Sequence, residues 1–156
     1  MARPVSLTRS AVLSRLLFGF VAGFLATLTF HQIGLWGLHA AGVTPAIPWV
    51  TAPVPPFGVP QVISLALWGG VWGVIFVLLE QILARGRIGY WIAAMLFGAI
   101  CPTLVAWFVV LPLKGLPAGN GFHVPAVFVG PVVNGLWGLG TLMFLGVLSG
   151  WRGYPG

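Results

Sequence analysis

The residues that could do chemistry in this chain are few, and they lie in unusual places. His31 and Gln32 are adjacent deep in an apolar run, Glu80 is the only acid, and Asn134 interrupts a later apolar run. Ionisable and amide side chains at membrane depth are costly unless paired or wetted, so each is a candidate for function. His31, Gln32, Glu80 and Asn134 are therefore the polar intramembrane candidates. With Thr27, Thr29, Ser64, Thr103 and Thr141 they could line a narrow path for a proton or small solute. The plainer reading has the hydroxyls bonding the preceding turn of their own helix. For Glu80, the plainer reading is an ion pair with nearby Arg85 or Arg87, or a carboxylate snorkelling to the surface.

His31, His39 and His123 fall on one side of the predicted topology, and together they could ligate a haem or metal. Spacing weakens that reading. Residues eight apart, as His31 and His39 are, point about 80° away from each other on a helix. No CxxCH or HxxxH pattern occurs. With a single carboxylate, paired-acid hydrolysis is excluded, and no phosphate loop or activated nucleophile is present. The expectation is a non-enzymatic protein without a cofactor, with a haem-binding redox module as one alternative. The lone Cys101 excludes an intrachain disulfide and is too deep in an apolar run for lipidation.

These residues must be positioned by membrane-spanning helices. The 156 residues are 59% hydrophobic and 5% charged, with mean hydropathy +1.06. A soluble domain carries about a quarter charged residues. The net charge of +6 comes from seven basic residues scattered near the ends of apolar runs. That pattern suits anionic lipid headgroups and argues against nucleic acid as a partner.

About 20 apolar residues cross a bilayer. The first predicted span runs from Ala11 to about His39. Its basic head resembles a signal peptide, but the apolar run is too long and the remaining chain is equally apolar. Residues 42–60 contain six prolines, Pro45, Pro48, Pro53, Pro55, Pro56 and Pro60, which exclude a helix and predict an extended external loop. Spans are then predicted over Gln61–Leu83, Tyr90–Leu111 (kinked at Pro102) and Pro125–Ser149 (bent at Pro131). Trp151, Arg152 and Tyr154 form an interfacial anchor. With four spans, Arg3, Arg9, Arg15, Arg85, Arg87 and Arg152 share one side, against Lys114 on the other. The positive-inside rule places both termini in the cytoplasm. The expected fold is all-α: one polytopic membrane domain of four transmembrane helices in two tandem hairpins, N-in and C-in, in a bacterial inner membrane.

The halves 11–84 and 88–150 look like a duplication. Phe18-Gly19 with the six residues after it resembles Phe97-Gly98 with its followers, and Ala66-Leu67-Trp68-Gly69 resembles Gly135-Leu136-Trp137-Gly138. Each copy has two spans, so the repeat would be parallel, with Trp68 and Trp137 in equivalent places. Gly19 with Gly23, Gly69 with Gly73, and Asn134 with Gly138 have the small-xxx-small spacing that lets membrane helices pack closely. They serve packing within the chain or contact between copies.

Gly19-Phe20-Val21-Ala22-Gly23, Leu111-Pro112-Leu113-Lys114-Gly115-Leu116-Pro117, and the acid closing the second span at Glu80 resemble the YagU-like family of small bacterial inner-membrane proteins. The resemblance implies four spans and an inner-membrane location, and carries no catalytic or binding residue. Taken together, the expectation is an accessory, structural or stress-related membrane protein whose partners are the bilayer and a homo-oligomer or larger complex. A small-solute or proton transporter or channel, working as an oligomer around His31 and Gln32, is the other alternative.

Overall fold

Water cannot satisfy backbone groups inside a bilayer, so a spanning segment of this composition must be helical. The computed structural model describes residues 9–83 and 86–151. Four helical stretches among them are long and apolar enough to cross a membrane: Arg9–Ala40, Gln61–Glu80, Ile88–Leu113 and Ala126–Ser149. Large apolar side chains such as Leu13, Leu17, Leu78, Ile82 and Ile88 cover the outside of the bundle. Helices apolar on every face are what a lipid environment selects. The chain is a small integral membrane protein.

The first span comprises α1 (Arg9–Ala26), a π turn (Thr27–His31) and α2 (Gln32–Ala40). The proline-rich loop follows, held by a two-residue antiparallel ladder, β1 (Pro53–Val54) against β2 (Val59–Pro60). α3 (Gln61–Leu83) covers the predicted second span. α4 (Gly86–Val105) passes through a second π turn (Ala106–Val110) into α5 (Leu111–Leu113), and α6 (Val129–Ser149) completes the bundle. Pro102 lies inside α4 without ending it. The irregularity comes one turn later, where Leu111 N–H reaches back five residues to Ala106 O. α6 ends at Gly150, whose φ of 61° is the left-handed conformation glycine adopts freely. Trp151 N–H then closes on Gly146 O at 2.8 Å, the Schellman pattern. Arg3, Arg85, Arg152 and Tyr154 lie outside the described residues.

α1 packs on α3 and α4 on α6; α1 and α6 join the two pairs, while the contact of α3 with α4 is much smaller. Both hairpins close through the same kind of seam. A Cβ on Gly23 would overlap Gly69 O and lie 3.1 Å from Gly73 Cα; a Cβ on Gly98 would overlap Asn134 O and lie 3.1 Å from Gly138 Cα. A Cβ on Gly73 would overlap Gly19 O, and one on Gly138 would overlap Ala94 O. Phe20 lies over Gly70 as Met95 lies beside Gly135. The five expected packing glycines, Gly19, Gly23, Gly69, Gly73 and Gly138, all sit where two backbones touch.

This register corrects the expected match between the halves. Trp68 is 64% exposed, whereas Trp137 is 3% exposed. The seam pairs Gly69, Gly70 and Gly73 with Asn134, Gly135 and Gly138, so Trp72 corresponds to Trp137. The two tryptophans Trp68 and Trp72 are one turn apart, and only packing distinguishes them.

Bulk at the seam should therefore be destructive while bulk elsewhere is harmless. Gly23→Val is expected to lower stability by about 3 kcal/mol or more, since the overlap is with backbone that cannot rotate away. Gly37→Ala, where a Cβ meets nothing within 4 Å, is expected to be neutral or slightly stabilising. Thermal unfolding in a mild detergent compares the two; equal midpoints would contradict the seam.

Candidate functional site

Two polar clusters lie at opposite ends of the bundle. At the end carrying the 42–60 loop, Leu28 O in the π turn of the first span accepts a bond from outside its helix. Trp49, in the proline-rich loop, supplies it: Nε1 donates to Leu28 O at 2.9 Å. The Trp49 backbone N–H donates to Gln32 Oε1 at 2.7 Å. Trp49 adopts φ 48° to make both bonds, an uncommon conformation for a bulky residue. With Gln32 Oε1 fixed as the acceptor, its amide nitrogen faces His31 Nδ1 at 3.2 Å. Only the nitrogen can donate, so His31 Nδ1 accepts and its proton sits on Nε2.

Gln32 is 2% exposed. Beside it, a cavity of about 170 Å³ is lined by Gln32, Leu35, Ala46, Ile47, Val50, Gln61, Val62 and Leu65. The second short loop closes in a related way. Phe122, at φ 53°, packs edge-on against Trp107 of the second π turn at 5.4 Å between ring centroids.

At the opposite end, Glu80 is completely buried. Its partner is Arg15 of α1, which donates from Nε at 2.7 Å and from Nη2 to Glu80 Oε1. The expected pairing with the basic turn after α3 falls on Arg85 and the Arg87 side chain, which lie outside the described residues. The carboxylate points into the bundle instead of toward its surface. The antiparallel α1–α3 hairpin places residue 15 beside residue 80. Tyr90, near the start of α4, is buried. The ion pair joins α1 to α3 beside the start of α4.

Between these ends, polar groups tie helices together. Asn134 Nδ2 donates to Thr103 Oγ1 at 2.9 Å, linking α6 to α4. Trp137 Nε1 donates to Gly23 O at 2.9 Å, linking α6 to α1. Thr27 and Thr29 bond back to Gly23 O and Leu25 O. Such back-bonding competes for helix carbonyls and favours the π turn that follows.

The three histidines do not converge. His31 bonds Gln32, His39 Nδ1 lies 3.2 Å from Thr44 O in its own loop, and His123 stands against Gly121 in the other loop. Among the described residues no three His, Cys, Asp or Glu side chains gather as a metal site. The arrangement does not fit a haem or metal held by His31, His39 and His123. Arg15, Trp49 and Thr103 are the partners that sequence reasoning missed. For Arg15 a signal existed, since a lone acid near one span end requires a cation from another element.

Comparison with protein families, curated proteins and solved structures finds no match. The YagU-like resemblance therefore rests on the residues quoted for it.

Removing one member of a buried ion pair strands the other. Glu80→Leu is expected to cost about 3 kcal/mol, whereas Arg15→Leu with Glu80→Leu should recover most of that loss. A double-mutant cycle on detergent unfolding measures the coupling; additive losses would show that the pair contributes no specific stability. At the other end, Trp49→Phe keeps the ring but removes Nε1. It should raise hydrogen exchange across 46–50 without changing exchange in α6.

Proposed function

We propose that this chain is a non-enzymatic inner-membrane protein acting as an accessory or structural subunit of a larger membrane complex. One observation carries the reading. Among the described residues, every buried side-chain nitrogen or oxygen has a hydrogen-bond partner within the chain. Gln32, Glu80 and Asn134 each tie one segment to another, His31 bonds its neighbour Gln32, and the outer surface offers apolar side chains to lipid or to other helices. A path formed between copies would need Gln32 on the outer surface, but Gln32 is buried and held by Trp49.

The charge asymmetry supports cytoplasmic termini, with the Arg15–Glu80 end inside and the 42–60 loop outside. The shared seam supports an origin by duplication, in the register that relates Gly23 to Gly98 and Gly73 to Gly138. The YagU-like resemblance agrees with this location.

Purification from native membranes in mild detergent, without crosslinker, is expected to recover a second membrane protein in fixed stoichiometry. Native mass spectrometry reads the ratio. Solitary recovery across several mild detergents would count against an accessory role.

A further inference from the structure

The α1–α6 and α3–α4 contacts are equivalent under the seam register, yet one is closed and the other open. In the closed contact, Ala22 is fully buried and lets α6 approach, so that Trp137 Nε1 reaches Gly23 O. In the open contact, Phe97 stands where Ala22 does. Its ring meets Trp72 at 6.0 Å, Phe76 at 5.4 Å and Trp137 at 6.5 Å between centroids. A ring of that size holds α3 away from α4, so their contact is smaller than that of α1 with α6.

Trp72 corresponds to Trp137, but its indole N–H makes no hydrogen bond among the described residues. Neither does that of Trp68, one turn away on the same face and 64% exposed. The two flank the midpoint of the span Gln61–Glu80, too deep for water or for the ester carbonyls of lipids at the interface. Other tryptophans nearer the span ends can meet water at the membrane surface. Two donors at mid-membrane require acceptors there.

We infer that the α3 face bearing Trp68 and Trp72, beside the small α3–α4 contact, docks a transmembrane helix of another protein. That helix presents small residues and hydrogen-bond acceptors about one turn apart. The spacing follows from the donors themselves, since residues four apart on a helix are neighbours along its face. Acceptors at that depth come from Ser, Thr, Asn or Gln side chains, or from a carbonyl released by proline. A second copy of this chain does not suffice, because in a twofold contact each copy brings two indole donors to this face and one hydroxyl acceptor, Ser64. The inference rests on the accessory-subunit reading and names its docking face.

The test places benzoylphenylalanine at Leu79, on the same α3 face as Trp68 and Trp72, or at Leu17, on the exposed side of α1, in the full chain within its native membrane. Irradiation at Leu79 is expected to join a transmembrane peptide of a different protein, identified by mass spectrometry, while Leu17 gives lipid adducts. Replacing both indoles (W68F with W72F) should lower the Leu79 adduct about fivefold or more, with helicity and detergent unfolding unchanged. An undiminished adduct, an adduct to a second copy, or lipid adducts at Leu79 with a partner captured at Leu17 would overturn the docking face. Lipid adducts at both positions would overturn the accessory-subunit reading with it.

Discussion

Gly23 is asked to do two things that only a glycine can combine. Its missing side chain lets the α3 backbone come into contact at Gly69 and Gly73. Its carbonyl, reachable for the same reason, accepts the indole of Trp137 from α6 and the hydroxyl of Thr27 from the next turn. One residue thus sets the spacing within the first hairpin and the attachment of the second. Between helices solvated by lipid, no hydrophobic force favours association, so close packing and a few polar contacts must supply it. The disturbance is passed on locally: with its carbonyl engaged by side chains, the helix loosens into the π turn that receives Trp49 at Leu28.

The same logic explains where polar residues stand. In hydrocarbon, a polar side chain that holds two elements together satisfies itself and fixes geometry at once. Gln32 binds the loop, Asn134 binds α4, and Glu80 binds α1. The loops follow suit. Each folds back on the π turn of the preceding span with an aromatic residue at positive φ, Trp49 in one and Phe122 in the other. The long loop is therefore part of the helical bundle's structure and not a tether between spans.

Much of this was legible beforehand, and the remainder depended on register. Hydropathy sufficed to locate α3 at Gln61–Leu83, because an apolar run bounded by Pro60 and a basic turn leaves little choice. The packing glycines could be picked out by spacing alone. The Arg15–Glu80 pair could not, since Arg15 becomes a neighbour of Glu80 only after α1 and α3 align antiparallel. The match expected between the halves differs from the seam register by one turn for a related reason. Trp68 and Trp72 are each followed by glycine and share a helix face, so letters alone cannot choose between them. The π turns leave no hydropathy signal, and the loop contact of Trp49 depends on one of them.

The link from Trp137 to Gly23 joins the last helix to the first, across 114 positions of sequence. Spans enter the bilayer in order as they leave the ribosome. The first hairpin can zip along its glycines once α3 has emerged, yet the Gly23 carbonyl waits for α6. For that interval the α1 side of the interface stands without its partner, and insertion of α6 completes it. The position of α1, inserted early, thus depends on α6, inserted later.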